Sequence, residues 1–301
     1  MELRDIEYFA VVAEHGNVTR ASEALGLTPP ALSKSLRRLE KSLGAKLVKR
    51  TPKGIELTAV GSALLAQVRR IRLTLADVTR EAVELSGGRA GHLRIGASPM
   101  VGEHLPVAYG AFIKNALGVT LSITISDNDE MVPALRKGEL DLVVNYIPAT
   151  PYEDCTQEHL YDDEYVVCAS ASHPLAKEKT VTMAQIARER WTLSPVSLLP
   201  WHGLHRAFEN SGLRLPKTAV ETRSLRIRLQ ILAVSHLLAF VPRRVLRQAA
   251  SRFRLKELPV KEAIWRSPVG VIYREDAYLS PTAQRFIEVL KATAKEIAAA
   301  K

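Results

Sequence analysis

Eight basic residues between positions 28 and 54, namely Lys34, Arg37, Arg38, Lys41, Lys46, Lys49, Arg50 and Lys53, stand against one acid, Glu40. Cations this dense can neutralise successive phosphates and release the counterions condensed on a nucleic acid. Their spacing sorts them. Leu32, Leu36, Leu39 and Leu43 recur at three to four residues, so a helix here buries that stripe and turns Lys34, Arg37, Arg38 and Lys41 to the opposite face. A basic helix of this kind can enter a major groove while neighbouring cations grip the backbone. It can equally be the solvated corner of a helical domain.

The flanking residues supply the elements such a helix needs. Residues 19–25 read as a short helix with Ala21, Ala24 and Leu25 on its apolar face, closed by Gly26, which tolerates positive φ, and by a buried Leu27. Thr28 then caps the basic helix, with Pro29 and Pro30 in its first turn, where a missing N–H costs nothing. Residues 50–58 read as a two-stranded hairpin with Lys53 at its tip. Ahead of all these, Leu3, Ile6, Phe9, Ala10 and Ala13 mark one side of a further helix.

From 58 to 85 there is no proline, and Leu64, Val68, Ile71, Leu75, Val78, Ala82 and Leu85 alternate at four and three. A 3.5-residue repeat keeps one seam toward a partner helix over about 30 Å, so Leu64, Val68, Ile71, Leu75 and Val78 are expected to dimerise the chain. The alternative is a long helix packed on its own domain. Residues 86–91, with three glycines, read as a hinge.

Residues 1–88 resemble the winged helix-turn-helix and linker helix of LysR-type transcriptional regulators. The resemblance rests on Thr19-Arg20-Ala21-Ser22-Glu23-Ala24-Leu25, Pro30-Ala31-Leu32-Ser33, Leu36-Arg37-Arg38-Leu39-Glu40, Leu43-Gly44-Ala45-Lys46-Leu47, and Leu57-Thr58 with Gly61. It implies a homodimer or tetramer on double-stranded operator DNA, contact with RNA polymerase, and no enzymatic activity. Members of the family commonly carry Ser-Gln before the proline of the recognition helix, the Gln touching bases; here Thr28-Pro29 stand there. Pro29 has no donor for a base edge, so readout shifts toward Thr28, Ala31, Ser33, Lys34 and Arg37, with Pro30, Arg38, Arg50 and Lys53 completing the expected DNA contacts.

Beyond the hinge, strands and helices alternate. A strand at 93–97, a helix at about 103–117, a strand at 119–125, a helix at 131–140 and a strand at 141–144 predict a parallel sheet. A second α/β lobe is expected over about 162–267, with strands at 165–169, 191–194, 218–221 and 237–241. A strand at 269–273 and a helix at 281–299 return to the first lobe. This order, with Leu140-Asp141-Leu142-Val143 and His173-Pro174-Leu175, resembles the effector-binding domain of the same family, a two-lobed fold like a periplasmic binding protein. The expected domains are therefore 1–58, a DNA-reading winged helix-turn-helix of α class; 59–88, a long linker helix and hinge; and 89–301, a two-lobed α/β effector domain. Its lobe I takes about 92–161 and 268–301, and lobe II about 162–267.

Open α/β sheets bind ligands beyond the carboxyl ends of their strands, where helix N-termini offer N–H groups to anions. That rule selects Ser98, Met100, Val101, Ser126, Asn128, Tyr146, Ser197, Pro200, Trp201, His202, Arg223 and Ser224 as candidates for a small anionic effector. Arg223 is the expected carboxylate clamp and Trp201 the expected wall, although a lone Trp or His is more often a packing group. From 222 to 255 there are eight arginines and no acid, a run that can be ligand site, interface or solvated face.

The composition fits a cytoplasmic two-part regulator. Net charge is +10, hydrophobic residues make up 47% and charged residues 25%, values that favour a polyanionic partner and speak against disorder. No apolar run approaches the roughly 20 residues of a membrane span, and the first residues lack signal-peptide character. Cys155 and Cys168 form neither a CxxC pair nor a ligand cluster, so no metal or other cofactor is expected. An enzyme acting on a small acid and a constitutive architectural DNA binder are the competing classes. The first lacks a phosphate loop, a GxSxG and a metal-spaced His pair.

Overall fold

The computed structural model describes residues 2–52, 54–86, 91–102, 104–195 and 199–299. It divides into two compact units, residues 1–80 and 81–301.

The first unit is built from α1 (Leu3–His15), α2 (Val18–Ala24), α3 (Pro29–Leu43), the hairpin β1 (Val48–Thr51) and β2 (Gly54–Leu57), and the start of α4 (Ala59–Ser86). Local chemistry sets each boundary. The Asn17 side chain caps α2 by accepting from Thr19 N at 2.8 Å and Arg20 N at 3.2 Å. Thr28 caps α3, and glycines at φ near +60° close α1 at Gly16 and α3 at Gly44. Phe9, Ala10, Leu36, Leu39 and Leu47 form one core cluster, and Val12, Ala21 and Leu32 another. Two expectations shift here. Ala24 and Leu43 are exposed, while Ser22 is buried and its hydroxyl donates to Thr19 O at 2.7 Å.

Two glycines let backbones meet. A Cβ on Gly54 would lie 2.4 Å from Gly16 O, the same carbonyl that accepts from Ile55 N at 2.8 Å, so the hairpin is bolted to the end of α1. A Cβ on Gly61 would lie 2.0 Å from Leu47 O, which seats the first turn of α4 against the strand that follows α3. Thr58 completes the joint: its hydroxyl donates to Lys46 O at 2.6 Å and accepts from Gly61 N at 3.0 Å.

The seam on α4 is divided. Val68 is 4% exposed and, with Leu65 and the half-buried Leu64, packs into the core around Phe9 and Leu39. Leu64 and Val68, expected as dimer contacts, are core residues of this unit. Ile71 and Leu75, at 60% and 63% exposed, continue the stripe outward with Val78.

The second unit holds one nine-stranded sheet of order β4-β3-β5-β11-β6-β9-β7-β8, with β10 paired to β6. Its strands are β3 (His92–Ala97), β4 (Thr120–Ile125), β5 (Leu142–Tyr146), β6 (Cys155–Ser170), β7 (Arg190–Leu193), β8 (Lys217–Glu221), β9 (Leu238–Pro242), β10 (Leu255–Glu257) and β11 (Trp265–Arg274). β4-β3-β5 and β9-β7-β8 are parallel halves, and β6 and β11 run antiparallel through the middle and join them. The expected lobe boundaries fall inside these two continuous strands. The sequence pattern conceals the first ten residues of β6, because Thr156, Gln157, Glu158 and Glu164 interrupt its apolar alternation.

Helices α5 (Pro99–Gly102), α6 (Pro106–Asn115), α7 (Asn128–Arg136), α8 (Met183–Ala187), α9 (Leu199–Asn210), α10 (Leu225–Ala233), α11 (Arg243–Phe253) and α12 (Pro281–Ala299) flank the sheet. α11 was hidden in the arginine run; it buries Val245, Leu246 and Ala249 and leaves Arg247 and Arg252 exposed. Among the described residues no helix is long and apolar enough to cross a membrane, and no cluster of metal-ligating side chains occurs.

Candidate functional site

The first unit carries a cationic face on α3. Pro30, Ala31, Lys34, Arg37 and Lys41 are exposed there and Ser33 is half-buried. Residues three and four apart share one side of a helix, so Lys34, Arg37 and Lys41 form a single outward stripe. Thr28 stands at its head. The Thr28 oxygen accepts from Ala31 N at 3.4 Å, which leaves its hydroxyl proton to donate elsewhere. Lys53 and the side chain of Arg50 lie outside the described residues.

The buried charges of this unit among the described residues, Asp5 and Glu40, are both answered. Asp5 is fully buried; Arg38 Nε donates to its Oδ2 at 2.8 Å, Arg38 Nη2 pairs with Oδ1, and Ser35 also donates to it. The Arg38 hydrogen bond, with help from Ser35, outweighs the opposing effect of burial and holds the Asp5 carboxyl down at about 2. Arg38, expected as a DNA contact, therefore already has a partner and ties α3 to α1. Glu40 is likewise turned inward. Burial raises its carboxyl, but Lys46 Nζ at 2.7 Å and Leu47 N at 3.0 Å reverse this and hold it below the usual range. The one acid of the basic segment thus anchors the strand that leads into the hairpin instead of weakening the outer face.

The second unit has a cavity of about 330 Å³ between the halves of its sheet. One wall comes from the strand ends and helix starts of the first half, Ser98, Met100, Asp127, Asn128, Asp129, Asn145 and Tyr146, with Arg136 from the last turn of α7. The other comes from Tyr165, Ser194, Pro200, Arg223 and Arg228. Six of the expected effector residues, Ser98, Met100, Asn128, Tyr146, Pro200 and Arg223, line it. The remainder are placed elsewhere. Val101 is buried in the core, Ser126 donates its hydroxyl to Glu130, Trp201 stacks on His205 with ring centres 4.7 Å apart, His202 meets the Trp201 ring edge-on, and Ser224 caps α10 by accepting from Ile227 N at 3.3 Å. Ser197 lies outside the described residues.

Each lining group has a local cause. Ser98 caps α5 by accepting from Val101 N at 3.2 Å. Asn128 and Asn145 are amide partners, and Tyr146 N donates to Asn145 Oδ1 at 2.8 Å. The Tyr146 hydroxyl donates to Asp163 Oδ2 at 3.2 Å; burial lifts the Asp163 carboxyl to about 6 despite Arg244 and that hydroxyl. Arg223 corrects the expected clamp. Its Nη1 lies 3.0 Å from Asp127 and its Nη2 2.6 Å from Asp129, so it fastens the second half to the head of α7 in the first. Arg136 is matched by Asp154 in the same way, at 2.7 and 2.9 Å.

Sequence reasoning missed Arg228. It is 1% exposed; its Nη2 donates to Ser194 Oγ at 2.9 Å and Thr222 O at 2.8 Å, while Nε and Nη1 have no acceptor among the described residues. A signal was present. In α10, Leu225, Arg228, Leu229 and Leu232 share one helical face, so an arginine occupies an apolar stripe.

Family profiles match both units. Residues 3–62 match the family profile "Bacterial regulatory helix-turn-helix protein, lysR family" and residues 86–295 match "LysR substrate binding domain". The chain is 28% identical over 288 residues to the RuBisCO operon transcriptional regulator of Allochromatium vinosum, covering 96% of this chain and 95% of that one. It is 27% identical to the HTH-type transcriptional regulator YdcI of Escherichia coli strain K12, across 97% and 95%. Among solved structures, full-length CbnR aligns over 98% of this chain and 99% of its own with TM-score 0.55 and 22% identity. The regulatory domain of Synechocystis CcmR, solved in complex with 2-PG, aligns over 69% of this chain and 99% of its own with TM-score 0.63 and 21% identity.

Proposed function

The chain belongs to the LysR family of bacterial transcriptional regulators, a DNA-binding regulator with a substrate-binding effector domain, and from this premise we propose how its two sites divide the work. Two copies lay α3 into successive major grooves of a two-fold operator. Lys34, Arg37 and Lys41 hold phosphates, while Thr28, Ala31 and Ser33 meet base edges. Ile71, Leu75 and Val78 pair the copies, since a surface stripe of apolar residues at heptad spacing is what a partner helix covers. Dimers pair further into tetramers, act in the cytoplasm and contact RNA polymerase.

A small acidic effector occupies the cavity between the sheet halves, and its differential affinity for two arrangements of those halves shifts the population that fits the operator. The 2-PG complex of CcmR supports a small-molecule ligand for this fold. The observation that carries the whole reading is the outward stripe on α3, beside two inward acids, Asp5 and Glu40, that are answered within the unit.

Footprinting of the full chain on the DNA upstream of its own gene tests it. A protected two-fold site at physiological salt is expected, with an extent or bend that changes when a metabolite extract is added. Absence of any protected site overturns the proposal; a site indifferent to every extract leaves a constitutive architectural binder.

A further inference from the structure

We propose that Pro29 makes the head of α3 an apolar reader, which with Pro30 and Ala31 selects bases by the C5-methyl group of thymine; this rests on α3 being the helix that enters the major groove. Thr28, Pro29, Pro30 and Ala31 are all exposed at that end. Side chains of a helix tilt toward its start, so those of the first turn project off the end and meet whatever the head of the helix approaches.

Donors are scarce there. A helix ordinarily leaves its first N–H groups free, and these bind phosphates or reach bases. Positions 29 and 30, both proline, have no N–H; Ala31 N donates to Thr28 Oγ1 at 3.4 Å and Leu32 N to Thr28 O at 3.1 Å. From Pro29 to Leu32 no N–H is left for a phosphate or a base edge, and the hydroxyl of Thr28 is the only side-chain donor from 28 to 32. What the head presents instead is two pyrrolidine rings and a methyl group.

On the major-groove edges of the four bases the one apolar group is the thymine C5-methyl. Proline and alanine lose no side-chain freedom on burial, so contact with that methyl is not offset by ordering, as it would be for a glutamine at position 29. Burying one methyl amounts to about fourfold in affinity, against roughly 5- to 150-fold for a bidentate side-chain contact. The head therefore discriminates shallowly, and the methyl counts whichever pyrimidine carries it.

The test selects sites from a random duplex library with the full chain. Affinity for the selected site is then measured with each thymine replaced in turn by deoxyuridine, which removes the methyl and nothing else. At one or more thymines in each half-site the replacement is expected to weaken binding about fourfold. Where such a thymine gives way to 5-methylcytosine or to cytosine, each paired with guanine, the methylated base is expected to bind about fourfold better. In Pro29→Gln and the milder Pro29→Ala at least one of these ratios is expected to fall toward one, and Pro29→Gln gains a preference for adenine there. The log-log salt slope stays that of wild type, because the phosphate contacts of Lys34, Arg37 and Lys41 are untouched.

Equal affinity for thymine and uracil duplexes, or for 5-methylcytosine and cytosine ones, overturns the methyl reading and leaves the regulatory reading standing. Ratios that survive in both Pro29 variants give the methyl to another residue and overturn the role of Pro29. A slope lowered in both variants does the same, since it makes Pro29 a support of α3. A library from which nothing is enriched removes the DNA reader itself, and both readings with it.

Discussion

The two units treat charge in opposite ways. In the first, the cations of α3 face outward, and the two acids that go inside, Asp5 and Glu40, are each held by a basic partner and by further donors. In the second, acids and arginines are drawn inward around a cavity, and one guanidinium is left without an acid among the described residues. A polyanion is gripped by many solvated charges whose individual contributions are small and salt-dependent. A small molecule is chosen by few groups, and one sequestered charge discriminates more sharply than several exposed ones, because burial removes the water that would otherwise compete.

The strongest way to break this contrast is to leave a buried donor of the first unit unanswered. Glu40→Ala strands Leu47 N and is expected to cost about 2–3 kcal/mol of that unit's stability. Circular dichroism should show an early urea transition that tryptophan fluorescence, confined to the second unit, does not. Coincident transitions would mean that Glu40 does not anchor the hairpin. Next in size, Lys34→Ala and Arg37→Ala should each weaken operator binding roughly tenfold and lower the log-log salt slope by about 1, with tryptophan-detected melting unchanged. A loss of affinity with an unchanged slope would move these residues from phosphates to base edges.

The smallest effect sharpens the comparison by sign. Asp5 has its carboxyl lowered to about 2, so its stabilisation is complete above the unfolded value near 4 and is lost as pH falls through 2. With Arg38 half in solvent this amounts to about 1–2 kcal/mol. Asp163 has its carboxyl raised to about 6, so its contribution is present below about 4 and is lost as pH rises through 6. Acidification from pH 6 to 4 should stabilise the second unit, and Asp163→Asn should flatten that slope; an unaltered slope would assign it to another group.

Much of the first unit is legible in the sequence because its signals are local. Thr28, Gly26, Gly44 and the proline pair mark ends, and the Leu32, Leu36 and Leu39 stripe marks the inner face. The seam of α4 was legible only in part. Periodicity says that one side of a helix is covered, not by what, and Leu64 and Val68 satisfy the same repeat whether they meet a partner copy or the core beside Phe9. The cavity was half legible. The rule about strand ends finds Ser98, Asn128, Tyr146 and Arg223, yet it looks at loops, while Arg228 sits inside a helix. Asp127 and Asp129, which hold Arg223, are about a hundred residues from it in the chain, a distance no local pattern bridges.

Gly61 has a mechanical meaning. Its first-turn backbone presses on Leu47 O, and the next turns are locked by Leu64, Leu65 and Val68, so α4 is a shaft keyed at one end. An α-helix resists torsion along its hydrogen-bonded length. Torque applied at the exposed Ile71, Leu75 and Val78 would not be absorbed by slippage at the keyed end; it would be delivered to Leu47 and Thr58, and from there to the angle of the hairpin beside α3. A β-carbon at position 61 would loosen the key, and twist would then be lost before reaching the hairpin.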